Sequence, residues 1–92
     1  MNAADYELVL TRSAARAISE RLPEAVNAAV IDFMTESLIE NPHRVGRELR
    51  HELSGVYRAR RGTYRVLYRI DDEQRTVTVL RIDHRSDVYR SP

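Results

Sequence analysis

The 92-residue sequence has no cysteine, no tryptophan and no lysine, and each absence closes off a class of chemistry. Without cysteine there are no disulfides, thiolate metal sites or cysteine nucleophiles, so the fold must rest on packing alone. No apolar run approaches the ~20 residues needed to span a bilayer, and no basic start precedes an apolar stretch at the N-terminus. The expectation is a soluble, cytoplasmic protein with no membrane partner. No glycine-rich phosphate loop, His-Glu-x-x-His, calcium loop or nucleophile elbow occurs. His43, His51 and His84 are dispersed with no zinc-site spacing, so neither a metal nor a cofactor is expected. All fifteen basic residues are arginine. A GC-rich coding bias accounts for the missing lysines, but the chemical consequence stands: arginine does not give up its proton at any working pH.

The length suits one domain, residues 1–92, on a single core. Net charge is only +1, yet residues 1–42 carry three Arg against seven acidic residues (net −4) and residues 43–92 twelve against seven (net +5). Residues 43–70 alone hold eight Arg against two Glu, a patch suited to a polyanion.

Tyr6 to Leu10 reads as a short strand at the edge or in second place in a sheet. Thr11 or Ser13 then caps a helix whose apolar positions are Ala14, Ala15, Ile18 and Leu22. Pro23 opens a second helix with the stripe Val26, Val30, Phe33, Met34 and Leu38, and Asn41-Pro42 ends it. His43 to Gly55 reads as a long basic loop anchored by Leu49 and Leu53.

From Val56 the pattern becomes two-residue alternation. Tyr57 and Ala59 point one way and Arg58 and Arg60 the other; Arg61-Gly62 supplies a tight turn. Tyr64, Val66, Tyr68 and Ile70 then share one face, opposite Arg65, Leu67 and Arg69. Asp71 to Gln74 is a polar hairpin loop, and Thr76 to Asp83 returns with Leu80 and Ile82 alternating with Val79, Arg81 and Asp83. The class is α+β in the order β-α-α-β-β-β: a helical hairpin packed on one face of a small, mainly antiparallel four-stranded sheet, with the opposite basic face open. Arg58, Arg60, Arg65, Arg69, Arg81 and Arg85 converge on that face if the strands pair in register, and crowded cations call for an anion. His84 and Tyr89, in the segment after the last strand, are the candidates for proton transfer, with Glu52 and Asp87 behind them.

Four segments together carry a resemblance. Asn41-Pro42-His43-Arg44, Leu49 to Gly55, Arg60-Arg61-Gly62-Thr63-Tyr64-Arg65-Val66-Leu67-Tyr68 and His84-Arg85-Ser86-Asp87-Val88-Tyr89 resemble the RelE branch of the RelE/ParE toxin superfamily across essentially the whole chain. The resemblance implies the toxin of a toxin–antitoxin pair, a metal-independent endoribonuclease that cleaves mRNA in the ribosomal A site and so inhibits translation. It implies that Arg65 and Arg85 stabilise phosphate and that Tyr89 stacks on a base or shares in proton transfer; His84, from its own chemistry, completes the expected catalytic set. Arg58, Arg60 and Arg61 are then substrate-binding, and Arg81 either joins them or, like Arg69 and Arg75, is solvated charge. Arg58 and Arg60 stand where the family carries lysines, so they can bind phosphate but are poor proton carriers. The implied partners are a RelB-like antitoxin, the ribosome and mRNA, with operator DNA reached only through the antitoxin. Two rival readings share the fold: a ParE-like inhibitor that binds DNA gyrase without nuclease activity, and an inactive module whose basic face only holds an acidic antitoxin segment.

Overall fold

The structure, a computed structural model, describes residues 5–85. Strand β1 (Glu7–Leu10) leads into helix α1 (Arg12–Arg16), which continues as a π-helical turn over Ala17–Arg21. Thr11 caps α1 as expected: its hydroxyl accepts from the Ala14 N–H at 3.2 Å and donates to the Leu80 carbonyl at 2.7 Å, fastening the helix start to the sheet. Pro23, with φ −58° and ψ 150°, stands immediately before helix α2 (Glu24–Phe33), which runs on as a π-helical turn over Met34–Leu38. A short helix α3 (Pro42–Val45) begins with Pro42 in its first turn, where the missing N–H costs nothing.

The sheet has five strands rather than the four read from the sequence, in the order β1-β5-β4-β3-β2. The addition is β2 (Arg47–Glu48), in the stretch expected to be loop; it pairs antiparallel with β3 (Tyr57–Arg61), Arg47 facing Arg58. A backbone bond from Leu49 N–H to the Val56 carbonyl at 2.7 Å closes this small hairpin. Two residues of strand carry too little periodicity to be seen in a sequence. Strands β4 (Tyr64–Asp71) and β5 (Thr76–His84) are antiparallel, and β1 lies parallel to β5 at the sheet edge.

Along β5 the simple alternation fails. Leu67 faces Arg81 but Tyr68 faces Val79, so Leu80 is an extra residue, a bulge. Val79 is therefore buried with Val77, and Ile82 is buried beyond the bulge, whereas strict alternation places Val79 with Arg81 and Asp83.

The core lies between the helices and one sheet face. Ala14, Ala17, Val30, Phe33, Met34 and Leu38 meet Ala59, Val66, Tyr68, Val77, Val79 and Ile82. Ala17, not Ala15, completes the inner side of the first helix. Each fully buried aliphatic contributes about 1.5–3 kcal/mol relative to exposure, which is what replaces the absent covalent cross-links. The other face of the sheet carries Arg58, Arg60, Arg65, Leu67 and Arg69, and among the described residues no helix covers it.

Candidate nucleic-acid interface

The β3–β4 hairpin sets the site. Its two-residue loop is Gly62-Thr63, with Gly62 at φ 57°, a conformation glycine adopts without strain. The register that follows puts Arg60 directly opposite Arg65, and Arg58 opposite Leu67 on one side and Arg47 on the other. Directly opposed residues have Cβ atoms about 4.5–5.5 Å apart, and like charges so placed are destabilising. Two cations about 6 Å apart repel by about 0.7 kcal/mol in water and about 3 kcal/mol at an effective dielectric constant of about 20.

Beside this pair, the chain entering β2 walls a groove of about 370 Å³ lined by Arg44, Val45, Gly46, Arg47, Arg58 and Arg60. Gly46 lets the walls come together: a Cβ there would strike the Tyr68 hydroxyl and lie 2.8 Å from the Arg58 carbonyl oxygen. Among the described residues, no carboxylate lies within ion-pair distance of Arg44, Arg47, Arg58, Arg60 or Arg65. Asp83 stands opposite Arg65, but its Oδ1 accepts from Arg81 Nε at 2.7 Å. The arrangement holds several guanidiniums where an anion with several oxygens could take bidentate contacts from more than one of them.

A polar network lies next to the groove in the chain, through His43, the neighbour of Arg44. Tyr6 donates its hydroxyl proton to Asp72 Oδ1 at 2.5 Å, His43 Nε2 lies 2.9 Å from the same oxygen, and Tyr57 Oη lies 3.4 Å from His43 Nδ1. The hydrogen bonds from Tyr6 and then from His43 hold the Asp72 carboxyl below the usual carboxylate range. The bond to Asp72, with burial behind it, raises the Tyr6 phenol; burial, then Glu48, raises that of Tyr57. His43 is thereby tied to the β4–β5 turn, and Arg44 follows it in α3. Buried Tyr68 donates to the Pro42 carbonyl at 2.7 Å and fixes the start of the same helix.

Of the residues singled out from the sequence, Arg58, Arg60 and Arg65 lie together on the open face. Arg85 adjoins them, its backbone N–H bonded to the Thr63 carbonyl at 2.7 Å, two positions beyond the Arg65–Asp83 pair. Arg81 is on this face but engaged by Asp83. Arg61 and His84 are not part of the cluster. Arg61 lies over the Phe33 ring at 4.9 Å, and His84 faces Tyr64, whose ring meets Phe33 edge-on, so strand alternation sends both to the helix side. Glu52 is exposed in the 3₁₀ turn His51–Leu53. Tyr89 and Asp87 lie outside the described residues. Among those described, no three His, Asp or Glu side chains form a cluster fit to hold a metal ion.

Arg44 and Arg47 were counted in the basic stretch but not given a place by sequence reasoning. The available signal was Gly46 between them, since an isolated glycine in a basic segment marks a close backbone approach. The Tyr6–Asp72–His43–Tyr57 network had no signal, because it joins residues up to 66 positions apart.

Comparison with known proteins identifies the family. A family model described as the ParE toxin of type II toxin–antitoxin systems, parDE, matches residues 8–89. Toxin RelG of Mycobacterium tuberculosis is 52% identical over 85 residues, covering 92% of this chain and 97% of that protein. Toxin RelE of the same organism is 46% identical over 85 residues, covering 92% and 87%. The crystal structure of the RelBE2 toxin–antitoxin complex from M. tuberculosis contains a chain that superposes with a TM-score of 0.84 at 51% identity, covering 88% of this chain and 99% of that one. The chain therefore belongs to the ParE toxin family of type II toxin–antitoxin systems, among its RelE-type members.

Proposed function

We propose that this toxin is an endoribonuclease that cuts mRNA in the ribosomal A site, and that a RelB-like antitoxin restrains it by covering the arginine face. The carrying observation is the direct opposition of Arg60 and Arg65, continued by Arg58, Arg47 and Arg44 without an intervening carboxylate among the described residues. A surface that repels itself when empty is stabilised by a chain of phosphates.

The reaction that fits is internal transesterification. The RNA 2′-oxygen loses its proton and attacks the adjacent phosphorus. A dianionic phosphorane forms, and the P–O5′ bond breaks as the 5′-oxygen takes up a proton, leaving a 2′,3′-cyclic phosphate and a 5′-hydroxyl. Arg65 and Arg85 offset the charge gained in the phosphorane, while Arg58 and Arg60 hold the flanking phosphates. None of these arginines exchanges the protons. His84, on the helix side of the sheet, does not face the phosphate on the arginine side. Proton exchange is assigned to Tyr89, by resemblance, with the ribosome orienting the RNA.

The antitoxin assignment is supported by the relative of 51% identity, which was solved as a toxin–antitoxin complex. An acidic, extended antitoxin segment would supply carboxylates to the same arginines.

Mapping of mRNA cleavage on translating ribosomes tests the reading, with wild type beside Arg65→Ala and Arg85→Ala. Each substitution is expected to slow cleavage ~10²- to 10³-fold, the worth of one preorganised charge contact. The family description names ParE, so a second reading, gyrase inhibition, is kept in view. Growth arrest without RNA cuts, together with inhibited DNA supercoiling, would replace the first reading with the second.

A further inference from the structure

We infer that Leu67 and Leu80 form an apolar floor on the open sheet face that seats one nucleobase of the message, while the arginines around it donate to the edge of that base. This rests on the nuclease reading above and names how the RNA is held beside the phosphate to be cut.

Leu67 is the apolar exception on the arginine side of β4. Its neighbouring positions on that face are all cationic: Arg65 and Arg69 two residues away on its own strand, Arg58 directly opposite on β3 and Arg81 directly opposite on β5. The bulge adds a second leucine. Leu80 falls between Arg81, which faces Leu67, and Val79, which faces Tyr68; Val79 is turned into the core, so Leu80 is turned out. The Leu80 carbonyl accepts from the Thr11 hydroxyl at 2.7 Å, which fastens the bulge in place. Both leucines are part-exposed, and neither belongs to the apolar cluster beneath the helices.

The chemistry of floor and rim selects the occupant. The leucines call for an apolar surface, and a rim of guanidiniums, which only donate, calls for acceptors. A nucleobase supplies both at once: a π-face to lie on the leucines, and carbonyl and ring-nitrogen acceptors around its edge. An aliphatic side chain from a protein partner would satisfy the floor and offer the rim nothing, and a carboxylate would do the reverse. Position agrees with this choice. Leu67 and Arg65 are two residues apart on one strand, about 7 Å, so a base on the floor and a phosphate on Arg65 can belong to the same nucleotide.

The test measures cleavage against toxin concentration on 70S ribosomes programmed with a defined mRNA, its A-site codon intact or with each nucleotide made abasic in turn. Leu67→Ala is expected to lower cleavage efficiency about 5- to 10-fold, through the half-saturating concentration rather than the maximal rate, because the floor contributes binding and no proton or charge to the reaction. The dependence of log efficiency on log salt should keep its wild-type slope, whereas Arg58→Ala should reduce that slope by about one. At one codon position, loss of the base should cost wild type about 5- to 10-fold more than it costs Leu67→Ala; at the others it should cost both equally. Leu67→Tyr, which gives a wider face and suits a strand, should cleave at least as well as wild type, and thermal unfolding checks that each variant folds. Equal abasic losses in wild type and Leu67→Ala at every position overturn the inference. So does a loss confined to antitoxin binding, which gives the floor to an antitoxin side chain. Either result leaves the nuclease reading standing where Arg65→Ala still slows cleavage, whereas wild type that cuts no mRNA on ribosomes removes both.

Discussion

Gly46→Ala is expected to destabilise the protein and weaken its grip on RNA by the same displacement. Gly46 sits in extended backbone, φ −140° and ψ −175°, which any residue adopts, so its role is not conformational. Alanine on its own would gain about 0.4–1 kcal/mol from a less flexible unfolded chain. The opposing effect is larger. A Cβ would collide with the Tyr68 hydroxyl and crowd the Arg58 carbonyl oxygen at 2.8 Å and carbon at 3.1 Å. Neither neighbour yields readily. Tyr68 is fully buried, stacked on Tyr57 at 5.6 Å and bonded to the Pro42 carbonyl, and the other contact is backbone. Overpacking of this kind costs about 1–3 kcal/mol, so after the unfolded-state gain we expect a net loss of roughly 1.3 kcal/mol, or about 5–10 °C in Tm for a chain of this size. Urea unfolding at constant m reads the loss. Tyr68→Phe removes the hydroxyl and leaves the Pro42 carbonyl without its donor, at about 1–3 kcal/mol. Because it also removes one of the two collisions, the double variant should be less destabilised than the sum by about 0.5–1 kcal/mol. An unchanged midpoint for Gly46→Ala, or strict additivity with Tyr68→Phe, would refute the packing argument.

Replacing either member of the opposed cation pair should separate stability from activity. Arg60→Ala or Arg65→Ala is expected to raise stability by a few tenths to about 1 kcal/mol in low salt, the gain shrinking in high salt, while the Arg65 variant loses cleavage; thermal unfolding in a salt series checks this. The depressed Asp72 pKa gives stability that is present above the ordinary carboxylate value and lost as pH falls through the folded value. Asp72→Asn should therefore flatten the acid limb of a pH–stability profile, and Tyr6→Phe should flatten it in part. Asn27 carries a buried Oδ1 with no hydrogen-bond partner among the described residues, so Asn27→Leu should be neutral or stabilise by up to about 1 kcal/mol in urea unfolding.

The layered class, the helical hairpin and the sidedness of β3 and β4 could be read from periodicity, since Tyr57, Ala59, Tyr64, Val66 and Tyr68 alternate with arginines and with Leu67 on the other face. The places where reading failed share a cause. Strand β2 is too short to have a period, and the bulge at Leu80 breaks one. The break is visible in retrospect: Val77-x-Val79 followed by Ile82 cannot occupy one face without an extra residue. Arg60 and Arg65 could be assigned to the open face from the sequence, but their direct opposition depends on a two-residue loop, and the groove depends on Gly46 bringing β2 against Arg58. Arg61 follows Arg60 in the sequence but ends the strand on the inner parity, where its guanidinium lies over the Phe33 ring.

The bulge also determines the charge of the site. Without Leu80 as the extra residue, the parity that buries Val77 and Val79 would carry Arg81 and Asp83 into the core and leave Ile82 outside, an arrangement no core of this size could hold. With it, Arg81 and Asp83 reach the open face two residues apart and pair with each other, the Asp83 side chain only 16% exposed. Asp83 is thus a resident carboxylate beside Arg65, close enough to lessen the repulsion across the sheet yet committed by its 2.7 Å bond to Arg81. This half-buried carboxylate on the open face offsets part of the crowding among the arginines. It leaves Arg60 and Arg65 without a carboxylate in ion-pair contact among the described residues, and a phosphate between them gains what Asp83 does not supply.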